Sequence, residues 1–384
     1  MEFIDLKAQY RQYQEEIDHK VLEVIGKTHF ILGGEVRIFE ERLARYVGRK
    51  YAVSCSDGTS ALQLAYMVYG IGPGDAVFCP DMTFIATVEP ACLMGAVPVF
   101  CDIDRESYNI APESLERQVE RVEKEGKLRP RAVVAVDFLG NPADYGRLRQ
   151  AAERHGLLLI EDGAQGMGAE LDGGKCCSFG DIAATSFFPT KPLGCYGDGG
   201  AVFTDDEVVY QKLLSLRVHG KGKTKYDNVR IGINSRLDEL QAGVLNVKLG
   251  HLDEEIAMRQ EVARRYDEAL GDLAAVPQVR EGAVSAYAQY ILVLESQKVR
   301  DSLMGHLKEQ GVPTIQYYPN PMHRLPVFGG VKNYGEEFLN ATAYADRSLG
   351  LPFSPYISRE DQEKVIRGVR IFFERETRGK TVAL

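Results

Sequence analysis

The chain has 384 residues, 45% of them hydrophobic and 26% charged, with a formal net charge of −9. Those proportions suit a globular enzyme with one large domain and one smaller one. The acidic balance argues against non-specific nucleic-acid binding, which rests on a basic excess, and leaves room for a local basic pocket facing an anionic substrate.

The first thirty residues read as an arm and a helix over residues 15–26, with Ile17, Val21, Leu22 and Ile25 on one face and a stop at Gly26. A second helix covers residues 35–47, spacing Val36, Phe39, Leu43 and Tyr46 along one side. Strands and helices then alternate. Strands are expected at residues 51–54, 75–79, 97–101, 131–136 and 157–160, and helices at 58–69, 84–94, 112–124 and 145–155. Such a βα rhythm predicts an α/β fold with a mostly parallel central sheet and helices on both faces. Residues 182–187 and 200–204 read as a hairpin-like late addition to that sheet. A long helical stretch over 237–270 leads to a smaller C-terminal α+β domain, with strands at 286–294 and 314–317 and helices at 299–310 and 359–375. The expected division is 1–250, an N-terminal arm and large domain, and 251–384, the small domain.

Seven cysteines are scattered without a Cys-x-x-Cys pair, which predicts reduced, buried thiols and neither a zinc site nor a disulfide framework. The N-terminus lacks the basic-then-apolar pattern of a signal peptide, and no window approaches eighteen apolar residues. A cytoplasmic protein is expected, with no membrane or nucleic-acid partner.

The chemistry concentrates in two segments. Leu157–Ile160 is an apolar run followed by Glu161-Asp162-Gly163-Ala164-Gln165, and Lys191 stands in Ser186-Phe187-Phe188-Pro189-Thr190-Lys191-Pro192-Leu193-Gly194, a turn fixed by proline and glycine. An acid at a strand's carboxyl end together with a lysine in a tight turn suggests pyridoxal 5'-phosphate, which needs a lysine for its Schiff base and an acid facing the pyridine nitrogen. Asp162 would serve equally as a helix cap, and any single lysine is by default a surface residue. Phe187, Phe188, Leu193 and Tyr196 around Lys191 argue against full exposure. Asp57-Gly58-Thr59-Ser60 after the first strand opens a helix whose free N–H groups could hold a phosphate or simply form a capped start. Phe84 in Pro80-Asp81-Met82-Thr83-Phe84 follows the next strand, where an aromatic could stack on a flat ring or fill the core.

Taken in order, these stretches resemble the DegT/DnrJ/EryC1/StrS family of nucleotide-sugar aminotransferases. Phe30-Ile31-Leu32-Gly33, Gly197-Asp198-Gly199-Gly200, Leu216-Arg217-Val218-His219-Gly220 and Gly232 to Ala242 extend the match over nearly the whole large domain. The resemblance implies pyridoxal-phosphate fold type I, like aspartate aminotransferase. It implies that Lys191 is the Schiff-base lysine and acid/base and that Asp162 pairs with the pyridine nitrogen. Gln165 would contact the ring hydroxyl, Phe84 stack on the ring, and Gly58, Thr59 and Ser186 hold the phosphate. Asn234 would reach the phosphate in a neighbouring subunit, making the enzyme a homodimer with shared sites. Lysine at 191 implies amino transfer, because a relative that removes a sugar hydroxyl carries histidine there. Asp57 departs from the commoner serine and is expected to cap the helix or point away from the phosphate.

L-glutamate is the donor the resemblance implies, and a nucleotide-linked keto-sugar the acceptor. The run from Phe187 to Asp198 resembles the branch acting on UDP-linked N-acetyl sugars in surface-polysaccharide and O-antigen synthesis, including the UDP-2-acetamido-2-deoxy-3-keto-glucuronic acid aminotransferase. Arg236 could pair with a substrate carboxylate or bond nearby backbone. Tyr317 and Tyr318 resemble a substrate loop, although that branch has histidine where Tyr317 stands. A UDP- or dTDP-4-keto-6-deoxy sugar is the rival acceptor. A non-aminating pyridoxal-phosphate enzyme and a regulator with a vestigial cofactor fold are the rival classes.

Overall fold

The computed structural model describes residues 1–224 and 226–382, from 377 by backbone alone. Nine strands come first along the chain: β1 (Tyr51–Cys55), β2 (Asp75–Pro80), β3 (Val97–Cys101), β4 (Arg129–Val136), β5 (Leu158–Asp162), the short pair β6 (Glu170–Leu171) and β7 (Gly174–Lys175), then β8 (Ile182–Ser186) and β9 (Gly200–Thr204). Seven of them form the main sheet in the order β1-β9-β8-β5-β4-β2-β3. β9 is antiparallel to both neighbours, so β1 runs parallel to β2, β3, β4, β5 and β8. The expected hairpin is therefore not an addition at the sheet's margin. β8 continues the parallel series and β9 fills the gap to β1.

Alternation along the strands explains why the sheet is covered on both faces. Ala132, Val134 and Val136 of β4 pack with Leu62, Ala65 and Tyr66 of the helix Gly58–Val68, while Val133 and Ala135 pack with Leu115 and Val119 of Pro112–Glu125 and Leu148 of Tyr145–His155. Near β1 and β9 the second face is closed by Phe39 and Leu43 of the helix Gly34–Val47 and Leu245 of Glu239–Leu249. A separate cluster, including Tyr266, Tyr290, Leu303, Phe353 and Val365, surrounds the two-stranded sheet of β11 (Tyr290–Val293) and β12 (Ser348–Leu351). The short strand β10 (Ala283–Val284) joins β6 and β7.

Several expected elements are corrected. The helix over 84–94 is a 3-10 turn, Ile85–Thr87, and a short helix, Glu89–Leu93, because Pro90 lacks the N–H that a continuous helix requires. The stretch 237–270 is two helices, Glu239–Leu249 and Leu252–Leu270, broken at Gly250 and His251. Residues 314–317 make only a single bridge, Ile315 to Gly350, and the strand over 286–294 shortens to Tyr290–Val293. The buried side of Gln14–Lys27 carries Ile17 and Val24, whereas Leu22 is 66% exposed and Ile25 is exposed as well. Sequence periodicity also passed over the helices Leu6–Gln12, Glu207–Leu216 and Leu339–Arg347. Among the described residues, no helix is long and apolar enough to cross a membrane.

Candidate active site

The carboxyl ends of β1, β2, β4, β5 and β8 open onto one cleft of about 400 Å³, lined by Asp57, Gly58, Thr59, Phe84, Val136, Asp162, Ser186 and Lys191 among others. An open parallel sheet places ligands at that edge because its loops diverge there and its helices begin there.

Lys191 leaves β8 through a turn that folds back on itself. The Lys191 N–H donates to the Phe188 carbonyl (2.8 Å) and the Cys195 N–H to that of Phe187 (2.8 Å). Position 194 must be glycine, since a Cβ there would lie 2.5 Å from the Pro189 carbonyl oxygen. The residue is half-buried, but its amine is enclosed. Burial pushes that amine down from the ordinary lysine value, against the pull of the Asp162 carboxylate, which favours the nucleophilic free base.

Asp162 ends β5 on the face that carries Ile160 and the helix Gly58–Val68. Its Oδ2 accepts from the Thr87 hydroxyl (2.9 Å) and its Oδ1 from the Ala164 N–H (3.2 Å). Burial raises its carboxyl above the usual range, and those two donors and Lys191 counter that only in part. A buried acid with unused lone pairs facing a cavity is suited to a cationic N–H donor.

The other expected contacts gather around these two. Phe84 is 55% exposed and lines the cleft beside Tyr318, ring centroids 5.8 Å apart. Gly58 starts its helix directly against Ser186, and a Cβ on it would come within 2.6 Å of the Ser186 Cβ. Asp57 caps that helix, its Oδ1 accepting from the Ser60 N–H (2.7 Å) and its Oδ2 from the Ser56 and Ser60 hydroxyls. Gln165 lines the cleft itself, accepting from the Leu139 N–H (2.7 Å) and donating to the Tyr318 hydroxyl (3.4 Å). Tyr317 and Tyr318 both line the cleft. Lysine amine, matching acid, exposed aromatic and glycine-opened helix start together fit pyridoxal 5'-phosphate.

Asn234 and Arg236 do not line this cleft in the single chain; Asn234 is exposed and Arg236 half-buried. They flank Ser235, whose hydroxyl meets that of Ser56 at 2.9 Å. His323 is engaged elsewhere: its Nδ1 lies 2.6 Å from Asp81 Oδ2 and its ring stacks on Phe338. The His219 carbonyl accepts from Asn228. Sequence reasoning missed Thr87 as the partner of Asp162, and Gln289 and Phe188 as cleft residues. Thr87 stands three residues after Phe84 and four beyond Thr83, whose hydroxyl it meets at 2.7 Å.

Known proteins share the fold and much of the sequence. The model of the DegT/DnrJ/EryC1/StrS aminotransferase family matches residues 11–370. The UDP-2-acetamido-2-deoxy-3-oxo-D-glucuronate aminotransferase of Pseudomonas aeruginosa is 40% identical over 358 residues, 93% of this chain and 96% of that one. A DegT DnrJ EryC1 StrS aminotransferase from Brucella abortus superposes with a TM-score of 0.94 at 45% identity, over 97% of this chain and 99% of that one. DesV of S. venezuelae, solved in complex with a ketimine intermediate, gives a TM-score of 0.91 at 36% identity, over 97% and 98%.

Proposed function

The chain belongs to the DegT/DnrJ/EryC1/StrS aminotransferase family, and from that premise we propose that it moves an amino group from L-glutamate to a UDP-linked keto-sugar, UDP-2-acetamido-2-deoxy-3-keto-glucuronic acid being the acceptor favoured. It is a pyridoxal-phosphate-dependent transaminase. The observation that carries the reading is the convergence of Lys191 and Asp162 on one cleft from adjacent parallel strands. The 40% identity to the Pseudomonas enzyme over nearly both full lengths supports the acceptor.

When bound, the cofactor supplies an electron sink and a carrier for the amino group. Lys191 would hold it covalently through Nζ, Asp162 would accept from the ring N–H, and Phe84 would cover a ring face. Gly58, Thr59 and Ser186 would hold the phosphate at the helix start. Once free, Lys191 Nζ takes the proton from the donor α-carbon and passes it on as an acid, so one group serves both directions. Lowering that amine's basicity by burial keeps a share of it unprotonated and ready to act as base. Burial raises the Asp162 carboxyl, and a cationic ring N–H set against it would favour its anion. Tyr317 and Tyr318 form a wall for the sugar. Asn234 and Arg236 act in the site of the other protomer of a homodimer, Asn234 toward the phosphate and Arg236 toward the uronate carboxylate.

The test is the visible spectrum of the purified enzyme. L-glutamate should bleach the cofactor's band, and the 3-keto-uronate should restore it. Restoration only by a 4-keto-6-deoxy sugar would replace the acceptor. A band unmoved by any amino donor would overturn amino transfer.

A further inference from the structure

The geometry points to Lys248 as a positioning residue for Lys191: its side chain clamps the turn on which Lys191 stands to the N-terminal helix Leu6–Gln12. This rests on Lys191 being the reacting lysine. Lys248 comes from the helix Glu239–Leu249 and is only 3% exposed. Its Nζ donates to the Gly194 carbonyl (2.8 Å) and to Gln9 Oε1 (2.7 Å), and lies 4.3 Å from the centre of the Tyr196 ring.

The grip on Gly194 matters because of how the turn is folded. Gly194 packs against the carbonyls of Phe188 and Pro189, and the Lys191 N–H bonds that same Phe188 carbonyl. Moving the Gly194 peptide therefore moves the strand exit that sets Lys191. On the far side, Ile4, Asp5, Leu6 and Gln9 line, with Thr190 and Lys191, a small gap, so the N-terminal segment backs the same turn.

The acid that balances Lys248 is one residue removed. Gln9 Nε2 donates to both oxygens of Glu255 (2.9 and 3.0 Å), and Glu255 Oε1 also accepts from the Tyr356 hydroxyl (2.8 Å). The Gln9 amide thus lies between a cation and an anion and is polarised by both. Burial lowers the Lys248 ammonium to about 8 while Glu255 and Cys195 act to raise it. The remaining titratable groups around it are Tyr196 in the turn and, beyond that ring, Tyr10, whose hydroxyl donates to Asp18. Stability alone gives no reason to bury a lysine here, since an apolar side chain of like size would avoid the desolvation cost. What an apolar side chain cannot do is tie Gly194 to Gln9.

Hydrogen exchange on the full-length, cofactor-loaded enzyme tests this, reading the amides of Lys191 and Cys195, alongside single-turnover reaction with L-glutamate. Lys248→Met should speed exchange of those amides about tenfold (~1.4 kcal/mol) and slow the half-reaction by a similar factor with donor affinity unchanged. Lys248→Arg should restore both. Gln9→Leu should shift both in the same direction by less, and it provides the reading if Lys248→Met does not fold. Unchanged exchange in Lys248→Met, or in Gln9→Leu where that stands in, would overturn the inference. Faster exchange with an unaltered half-reaction would also overturn it, leaving Lys248 a structural tie with no part in positioning Lys191, whereas failure of the functional reading would show separately as near-normal turnover in Lys191→Ala.

Discussion

Glu161 and Asp162 are neighbours at the end of β5, yet they point to opposite faces of the sheet and meet opposite treatment. Glu161 accepts from the N–H groups of Cys177, Phe179 (2.7 Å) and Gly180 (3.1 Å), a nest of backbone donors with no route to the cleft. Beside it lie Asp137 and Cys176, within 4.8 Å, and burial together with Glu161 drives the Asp137 carboxyl well up, toward its neutral form. Asp162 has one hydroxyl, one longer N–H contact and an open side. Two carboxylates of equal burial therefore do different things. The satisfied one braces a loop, and the incompletely satisfied one keeps lone pairs open to the cleft.

Four substitutions sharpen or break that contrast. Lys191→Ala should cost the most, about 10³-fold or more in single-turnover reaction with glutamate, the scale of a lost acid/base, with the fold intact by circular dichroism. Residual turnover near wild type would remove Lys191 from the chemistry. Glu161→Ala, on the structural face, should lower the unfolding free energy in urea by about 3–5 kcal/mol, because two buried donors and one half-buried donor lose their acceptor. Little loss of stability would show that the nest is not what Glu161 is for.

Asp162→Asn should slow the half-reaction by about 100-fold and weaken cofactor retention, while the cofactor-free protein gains stability. The sign follows from its raised carboxyl. The native state holds the proton longer than the unfolded chain, so wild-type stability falls as pH climbs from the ordinary carboxylate range through the raised value. The variant lacks that fall, and melting temperature against pH, with and without cofactor, should show the gap closing when cofactor is bound. Gly58→Ala should have the smallest effect, raising the cofactor dissociation constant about tenfold, since Ser186 leaves no room for a methyl group. An unchanged constant would move the phosphate away from this helix start.

The parallel core was legible because each strand is a short apolar run closed by a turn, and each covering helix shows its own period. The N-terminal helix face was misjudged because Leu22 and Ile25 fit the period yet face outward. The break at Gly250 was invisible because one or two residues suffice to redirect a helix whose flanks are equally periodic. In the site, Lys191, Asp162, Gly58, Thr59 and Phe84 could be named from their local runs, Ser186 was implied by the family resemblance, and the fold gathers all six on one cleft.

What the sequence determined by itself was whatever is written within a dozen residues: strand order of appearance, the glycine that a turn requires, an acid at a strand's end, a lysine between prolines. Only the tertiary structure decided which acid stays thirsty. Thr87 reaches Asp162 across 75 residues, Lys248 reaches Gly194 across 54, and Glu239 gathers the N–H groups of Gly33, Glu35 and Val36 across more than 200. Hydrogen-bond partners are set by where strands and helices meet in space, and a single chain carries no local signal of that meeting.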